Sequence, residues 1–162
     1  MGPTRPAWTR WQRALARAPI RLYHLGLGGL LGSRFVLLEH RGRCTGRPRQ
    51  VVLEVVDRHP ASGGVLVASG YGSRAQWYRN IQADPRVAFW LGRRRQQGVA
   101  EPLDPAESGR RLAAYALSTP RSAALLLRIV GHDVDGTAGA YARLGSDPEH
   151  GIPLVLLRPR RG

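Results

Sequence analysis

Four arginines stand within nine residues in Arg41-Gly42-Arg43-Cys44-Thr45-Gly46-Arg47-Pro48-Arg49. A guanidinium fork takes phosphate or carboxylate oxygens two at a time, so this run has the chemistry to hold an anion carrying several charges. Gly42, Gly46 and Pro48 punctuate it as a shaped turn, against the plainer reading of a solvated charge run. Ala68-Ser69-Gly70-Tyr71-Gly72-Ser73-Arg74 lies between a strand-like stretch and a short helix. Backbone amides in such a loop, with the helix N-terminus beyond it, can cradle a phosphate. On that helix, in Trp77-Tyr78-Arg79-Asn80-Ile81, Trp77 and Ile81 share a face at i, i+4 and are expected in the core. Tyr78 and Asn80 point elsewhere, toward a pocket or toward structural neighbours.

Much other chemistry is excluded by composition. The chain has no lysine, which rules out Schiff-base catalysis and a phosphate loop ending in Gly-Lys. Its single cysteine, Cys44, rules out an internal disulfide and a multi-thiolate metal site. Among arginines Cys44 is either a favoured thiolate or an inert filler. The 5 histidines show no ligand spacing, so no metal is expected. There is no Gly-x-Ser-x-Gly elbow for a hydrolase triad. Gly70-x-Gly72-x-x-Ala75 fits a dinucleotide fingerprint, but the helix is short and the surroundings read as hairpins rather than βαβ units.

The elements that must position these groups are short. Apolar and β-branched runs predict strands over 35–40 and 51–57, flanking the arginine turn, and over 65–69, 87–91, 97–103 and 152–157. The pairs 51–57/65–69 and 87–91/97–103 read as hairpins. Helices are predicted over 75–83, from Asp104-Pro105-Ala106-Glu107 to about 117, with Asp104 capping and Glu107 reaching back to the cap, and over 121–130, capped by Thr119-Pro120. This order describes an α+β, predominantly β chain: a barrel-like sheet with flanking helices. Residues 8–25 place Trp8, Trp11, Leu15 and Leu22 on one helical face and Arg10, Arg13, Arg17 and Arg21 opposite. Such an N-terminal amphipathic helix either rests on an anionic membrane surface or packs on the domain. The chain therefore divides into a basic segment, 1–33, and a barrel domain, 34–162.

At 162 residues with 25 basic and 11 acidic side chains, the formal charge is +14. Nucleic acid, an anionic membrane and a polyanionic small molecule all suit such a charge. No nucleic-acid reading motif accompanies it, and the excess sits in the first third, so nucleic acid is not expected. No stretch is long enough to span a bilayer and no clear signal-peptide cleavage site follows the basic lead, so a cytoplasmic protein is expected, resting at most on the inner membrane face.

Four motifs together are similar to those of the deazaflavin-dependent nitroreductase and quinone-reductase family: Gly42-Arg-Cys-Thr-Gly-Arg-Pro-Arg49, Ala68-Ser-Gly-Tyr-Gly72, Trp77-Tyr-Arg-Asn-Ile81 and Asp84-Pro-Arg-Val87. Tyr141 and Ile152-Pro-Leu-Val155 resemble the family's C-terminal tyrosine and last strand. Cys44 replaces a family lysine, and the loop before Trp77 is shorter than the family's. The resemblance implies a split β-barrel of the flavin-reductase type and coenzyme F-420, a deazaflavin with a phosphate and an oligoglutamate tail. It implies hydride transfer to a quinone, nitro compound or similar small electrophile. It places Arg43, Thr45, Arg47, Pro48 and Arg49 at the phosphate and tail. Ser69, Gly70, Tyr71 and Gly72 fall by the ring or phosphate, and Trp77, Tyr78 and Asn80 shape that wall. Tyr141 is a candidate donor to the reduced acceptor. FMN as the cofactor, or a non-catalytic ligand- or lipid-binding role on the same fold, stays open, as does a dimeric state.

Overall fold

The computed structural model describes residues 34–160. The predicted helix at 8–25 and the segment 1–33 lie outside the described residues. Six strands form the domain: β1 (Phe35–Arg41), β2 (Pro48–His59), β3 (Gly64–Ala68), β4 (Arg86–Leu91), β5 (Arg94–Pro102) and β6 (Leu154–Pro159). Four helices join them: α1 (Gln76–Ala83), α2 (Pro105–Ser118), α3 (Pro120–Val130) and α4 (Ala138–Ser146). The strands close into an antiparallel barrel in the order β1-β2-β3-β6-β5-β4.

Side-chain alternation explains the continuous apolar runs of β3 and β6. Val65, Val67, Val155 and Leu157 point into the barrel with Val36, Leu38, Phe89 and Ile81. Leu66, Ala68, Leu154 and Leu156 point outward, where Leu112, Tyr115, Leu127 and Tyr141 of the helices cover them. These strands are thus buried on both faces and need no polar alternation.

The barrel closes through β2, but the two neighbours of β2 pair with different halves of it. β1 pairs with β2 from Phe35↔Glu54 to Arg41↔Pro48. β3 pairs with β2 only from Val55↔Val67 onward, past a register shift between Val55 and Asp57. Such a bulge bends its strand. The first half of β2 therefore has a neighbour on one side only, and the seam beside it is where the site forms.

Helix ends follow local chemistry with two departures from expectation. Asp104 caps α2 by accepting from Glu107 N–H at 2.8 Å, with Pro105 in the first turn. Glu107 does not reach back; it pairs forward with Arg110 and Arg111 at 2.6 and 2.7 Å. Thr119 does not cap α3 with its side chain. Its hydroxyl donates to the Tyr115 carbonyl at 2.8 Å and closes α2 instead. Among the described residues, no helix is long and apolar enough to cross a membrane.

Candidate functional site

The arginine turn is built by its own backbone. Gly42 N–H donates to the Arg47 carbonyl at 2.9 Å, and the Thr45 and Gly46 N–H groups donate to the Gly42 carbonyl at 3.2 and 2.7 Å. Gly46 takes φ 64°, a conformation open to glycine without steric cost. Arg41 Nη1 donates to the Gly46 carbonyl at 3.2 Å and braces the loop. Helix α1 holds the other side. Asn80 Oδ1 accepts from the Arg43 backbone N–H at 3.1 Å and from Arg43 Nη1 at 3.0 Å, and Arg43 Nη1 also reaches Gln76 Oε1 at 3.0 Å.

Those two donors to Oδ1 fix the orientation of the Asn80 amide. Its Nδ2 then faces His40 Nδ1 at 3.2 Å. An amide NH2 only donates, so Nδ1 accepts. His40 is 4 % exposed. Burial is the main cause that holds its pKa below the ordinary histidine value. Hydrogen bonding at the Arg41 backbone opposes this, the Arg49 charge adds to it, and the Glu39 charge opposes it.

A pH dependence follows. The unfolded chain takes up this proton near pH ~6.5, whereas the folded ring takes it up only at lower pH. Stability from neutral His40 is full above that value and is lost as pH falls toward the folded-state pKa. Asp84 and Glu107, lowered chiefly by hydrogen bonds from Arg86 and Arg111, lose their contributions further down, below about pH 4. Thermal melts between pH 7 and about 5.5 are expected to show a falling Tm whose slope shrinks in His40→Asn. Parallel curves for the two proteins would refute this assignment.

Beside this network a cavity of about 460 Å³ opens along the β2 seam. Leu53, Ala68, Trp77, Leu126 and Val130 give it apolar walls, and His40, Arg49, Gln50, Glu54 and Gln76 give it polar ones. From Arg49 to Glu54 it follows roughly 16 Å of strand. Every second residue of that edge turns its backbone N–H and C=O toward the seam. Glu54 closes one end. Its Oε1 accepts from Tyr115 Oη at 2.7 Å and pairs with Arg34 Nη2 at 3.3 Å. Burial, then the Glu54 carboxylate, pushes the Tyr115 phenol up to about 12.

At the other end a groove of about 190 Å³ lies over the turn, lined by Gly42, Arg43, Cys44, Thr45, Arg49, Gln76 and Asn80. Arg49 and Gln76 border both spaces, so a cationic groove adjoins an apolar slot. Among the described residues, Arg41, Arg43, Arg47 and Arg49 have no carboxylate within ion-pair distance. Nearby acids are engaged elsewhere: Glu39 with Arg95 at 3.7 Å, Asp84 with Arg86 at 2.9 Å. A third cavity of about 650 Å³ is also bordered by His40, together with Glu39, Arg41, Pro48, Arg86, Arg95 and Arg160.

The structure thus divides the residues proposed from sequence. Arg43, Thr45, Arg49 and Asn80 converge on the groove, and Gly70, Tyr71 and Trp77 on the cavity. Pro48 borders the third cavity instead. Arg47 is exposed and lines none of the three. Tyr78 is 4 % exposed inside the barrel core rather than in a pocket wall, packed edge-on to Trp77 at 5.8 Å between ring centroids.

Ser69 and Gly72 act from behind the wall. Ser69 Oγ donates to the Gly72 carbonyl at 2.8 Å, and Gly72 N–H returns a bond to the Ser69 carbonyl at 3.0 Å. The N–H groups of Ser73, Arg74 and Ala75 also donate to protein carbonyls. The amides from Gly72 to Ala75 are thus used within the protein, and Gly70 and Tyr71 carry the loop's part of the slot wall. Tyr141 is 5 % exposed on α4 in the helix-facing core and borders none of the three cavities. His40, Gln76 and Glu54 were not singled out from sequence, because each gains meaning only from partners distant in the chain.

Comparison with known proteins accords with this geometry. The sequence matches the family model described as F420H(2)-dependent quinone reductase over residues 12–124. It is 30% identical over 139 residues to a Mycobacterium tuberculosis protein bearing the same family name, covering 84% of this chain and 98% of that one. A solved Agrobacterium tumefaciens protein of unknown function is similar with TM-score 0.56 and 20% identity. That match covers 98% of this chain but only 60% of the other. A solved F420-H2-dependent reductase is similar with TM-score 0.51 and 19% identity, over 77% of this chain and 94% of that one. These two likenesses establish the barrel fold, and the sequence matches go further. With the family model spanning most of the domain that carries the turn, the slot and helix α1, the chain belongs to the F420H(2)-dependent quinone reductase family.

Proposed function

We propose that this chain is an oxidoreductase that binds coenzyme F-420 and passes its hydride to a quinone or similar small electrophile. The observation that carries the reading is the junction at Arg49, where an apolar slot long enough for a fused-ring system meets arginines that have no acid partner among the described residues. When bound, the reduced deazaflavin supplies the hydride, and the protein supplies position and field. Leu53, Trp77, Leu126 and Val130 would flank the ring and exclude water. The β2 edge offers backbone donors and acceptors to its polar rim. Arg43 and Arg49 would hold the phosphate and the first carboxylates of the tail, with Thr45 adding a hydroxyl. The array of arginines favours a multiply charged tail over the single phosphate of FMN.

The test is a titration of F-420 fluorescence with the protein. Quenching with a micromolar Kd that weakens as salt is raised is expected, together with oxidation of the reduced coenzyme by a soluble quinone. Absence of quenching at saturating protein would end the reading.

A further inference from the structure

His40 borders both large cavities, and its ring sits at the end of a polar chain that begins at the groove: Gln76, Arg43, Asn80, His40. Each member fixes the next. Arg43 sets the Asn80 amide by using its oxygen, and the amide then presents NH2 to His40 Nδ1. With Nδ1 committed as an acceptor, the neutral ring carries its hydrogen on Nε2. Among the described residues, no buried side-chain nitrogen or oxygen lacks a partner, so Nε2 is not sealed away as an orphan. The charged groups around the ring come from several elements. They are Glu39 and Arg41 on β1, Arg49 opposite on β2, Arg43 through Asn80, and Arg86, Arg95 and Arg160 around the third cavity.

We propose that His40 is the ligand-orienting donor of the slot: Asn80 holds it as the Nε2–H tautomer, and that hydrogen is given to an acceptor oxygen or nitrogen of the bound ring system. This rests on reading the slot as the cofactor site. It also makes the arginine turn and the ring end of the site a single unit, because the bond that seats Arg43 is the one that sets the histidine tautomer. A ligand ring without an acceptor at that edge would leave Nε2–H facing an apolar surface and would be discriminated against.

Two substitutions separate the halves of the arrangement. His40→Asn keeps an acceptor near Nδ1 for Asn80 but removes the Nε2 donor; His40→Gln keeps a donor near Nε2. F-420 affinity is expected to fall about three- to tenfold in the first and to stay within about threefold in the second. In ligand-free protein at pH 7.5, long-range nitrogen–proton NMR of the His40 ring should show the hydrogen on Nε2. In Asn80→Asp the facing carboxylate oxygen should draw a hydrogen to Nδ1. A hydrogen on Nδ1 in the native chain, or His40→Asn binding F-420 as tightly as native, would overturn the proposal. The tautomer is read without ligand, so its failure is distinct from a failure of F-420 to bind.

Discussion

Arg49→Ala is expected to weaken F-420 binding by between about 10- and 100-fold while shifting stability by no more than about 0.5 kcal/mol. Arg49 is exposed at the second position of β2 and has no carboxylate partner among the described residues, so the fold loses little when it goes. It borders both the slot and the groove, so a ligand spanning the two cannot avoid it. A guanidinium hydrogen-bonded to an anion is worth more than a neutral pair, which sets the size of the effect. Arg49→Lys should recover only part of the loss, since an ammonium lacks the fork. Titration at two salt concentrations checks this: the variant should show the shallower salt dependence. An unchanged Kd would separate the turn from the ligand.

The second large effect is on folding. Gly72 has φ 57°, and an added Cβ would lie 2.7 Å from the Glu149 carbonyl oxygen. Both the backbone conformation and the space forbid a side chain, and the obstacle is backbone rather than a flexible tip. Gly72→Ala is therefore expected to cost about 3 kcal/mol, lowering Tm by about 10 °C in a differential scanning measurement. Because Ser69 Oγ is bonded to the Gly72 carbonyl, the shift should also move Gly70 and Tyr71 in the slot wall. A Tm within 2 °C of native would show that the loop accommodates the methyl freely.

The strands were legible because β-branched and apolar runs sit between turn residues, and the residues at the arginine turn were legible by type. The start of β2 was not. Pro48 and Arg49 read as turn, yet they pair with Arg41 and His40. Pro48 stands at the first strand position, the place where a missing N–H does least harm. Helix α4 was missed for a different reason. Its sequence, Ala138 to Ser146, is mostly small residues and lacks a broad apolar stripe. It is held by close approach to α2: a Cβ on Gly109 would lie 2.5 Å from the Ala142 carbonyl, and one on Gly145 2.7 Å from the Ser108 carbonyl. Contacts made by the absence of side chains leave no hydrophobic period to read. Tyr141 stands on that helix, buried against α2 and β6, a placement that the residues around it in sequence do not announce.

At the site the residue types were readable but the division of labour was not. Ser69 and Gly72 look like a phosphate loop by composition, and only the bonds to Pro153 and each other show that their polar groups are used inside the protein. His40 and Glu54 look like unremarkable strand residues until Asn80, forty positions away, and Tyr115, sixty-one away, are brought against them.

A single comparison bears hardest on the joined slot and groove: binding of intact F-420 against the same deazaflavin stripped of its phosphate and glutamate tail. If both spaces are occupied at once, the stripped ring should bind at least about 100-fold more weakly, and the gap should close in Arg49→Ala. Equal affinities for the two compounds in the native chain would contradict a tail held by the arginine turn.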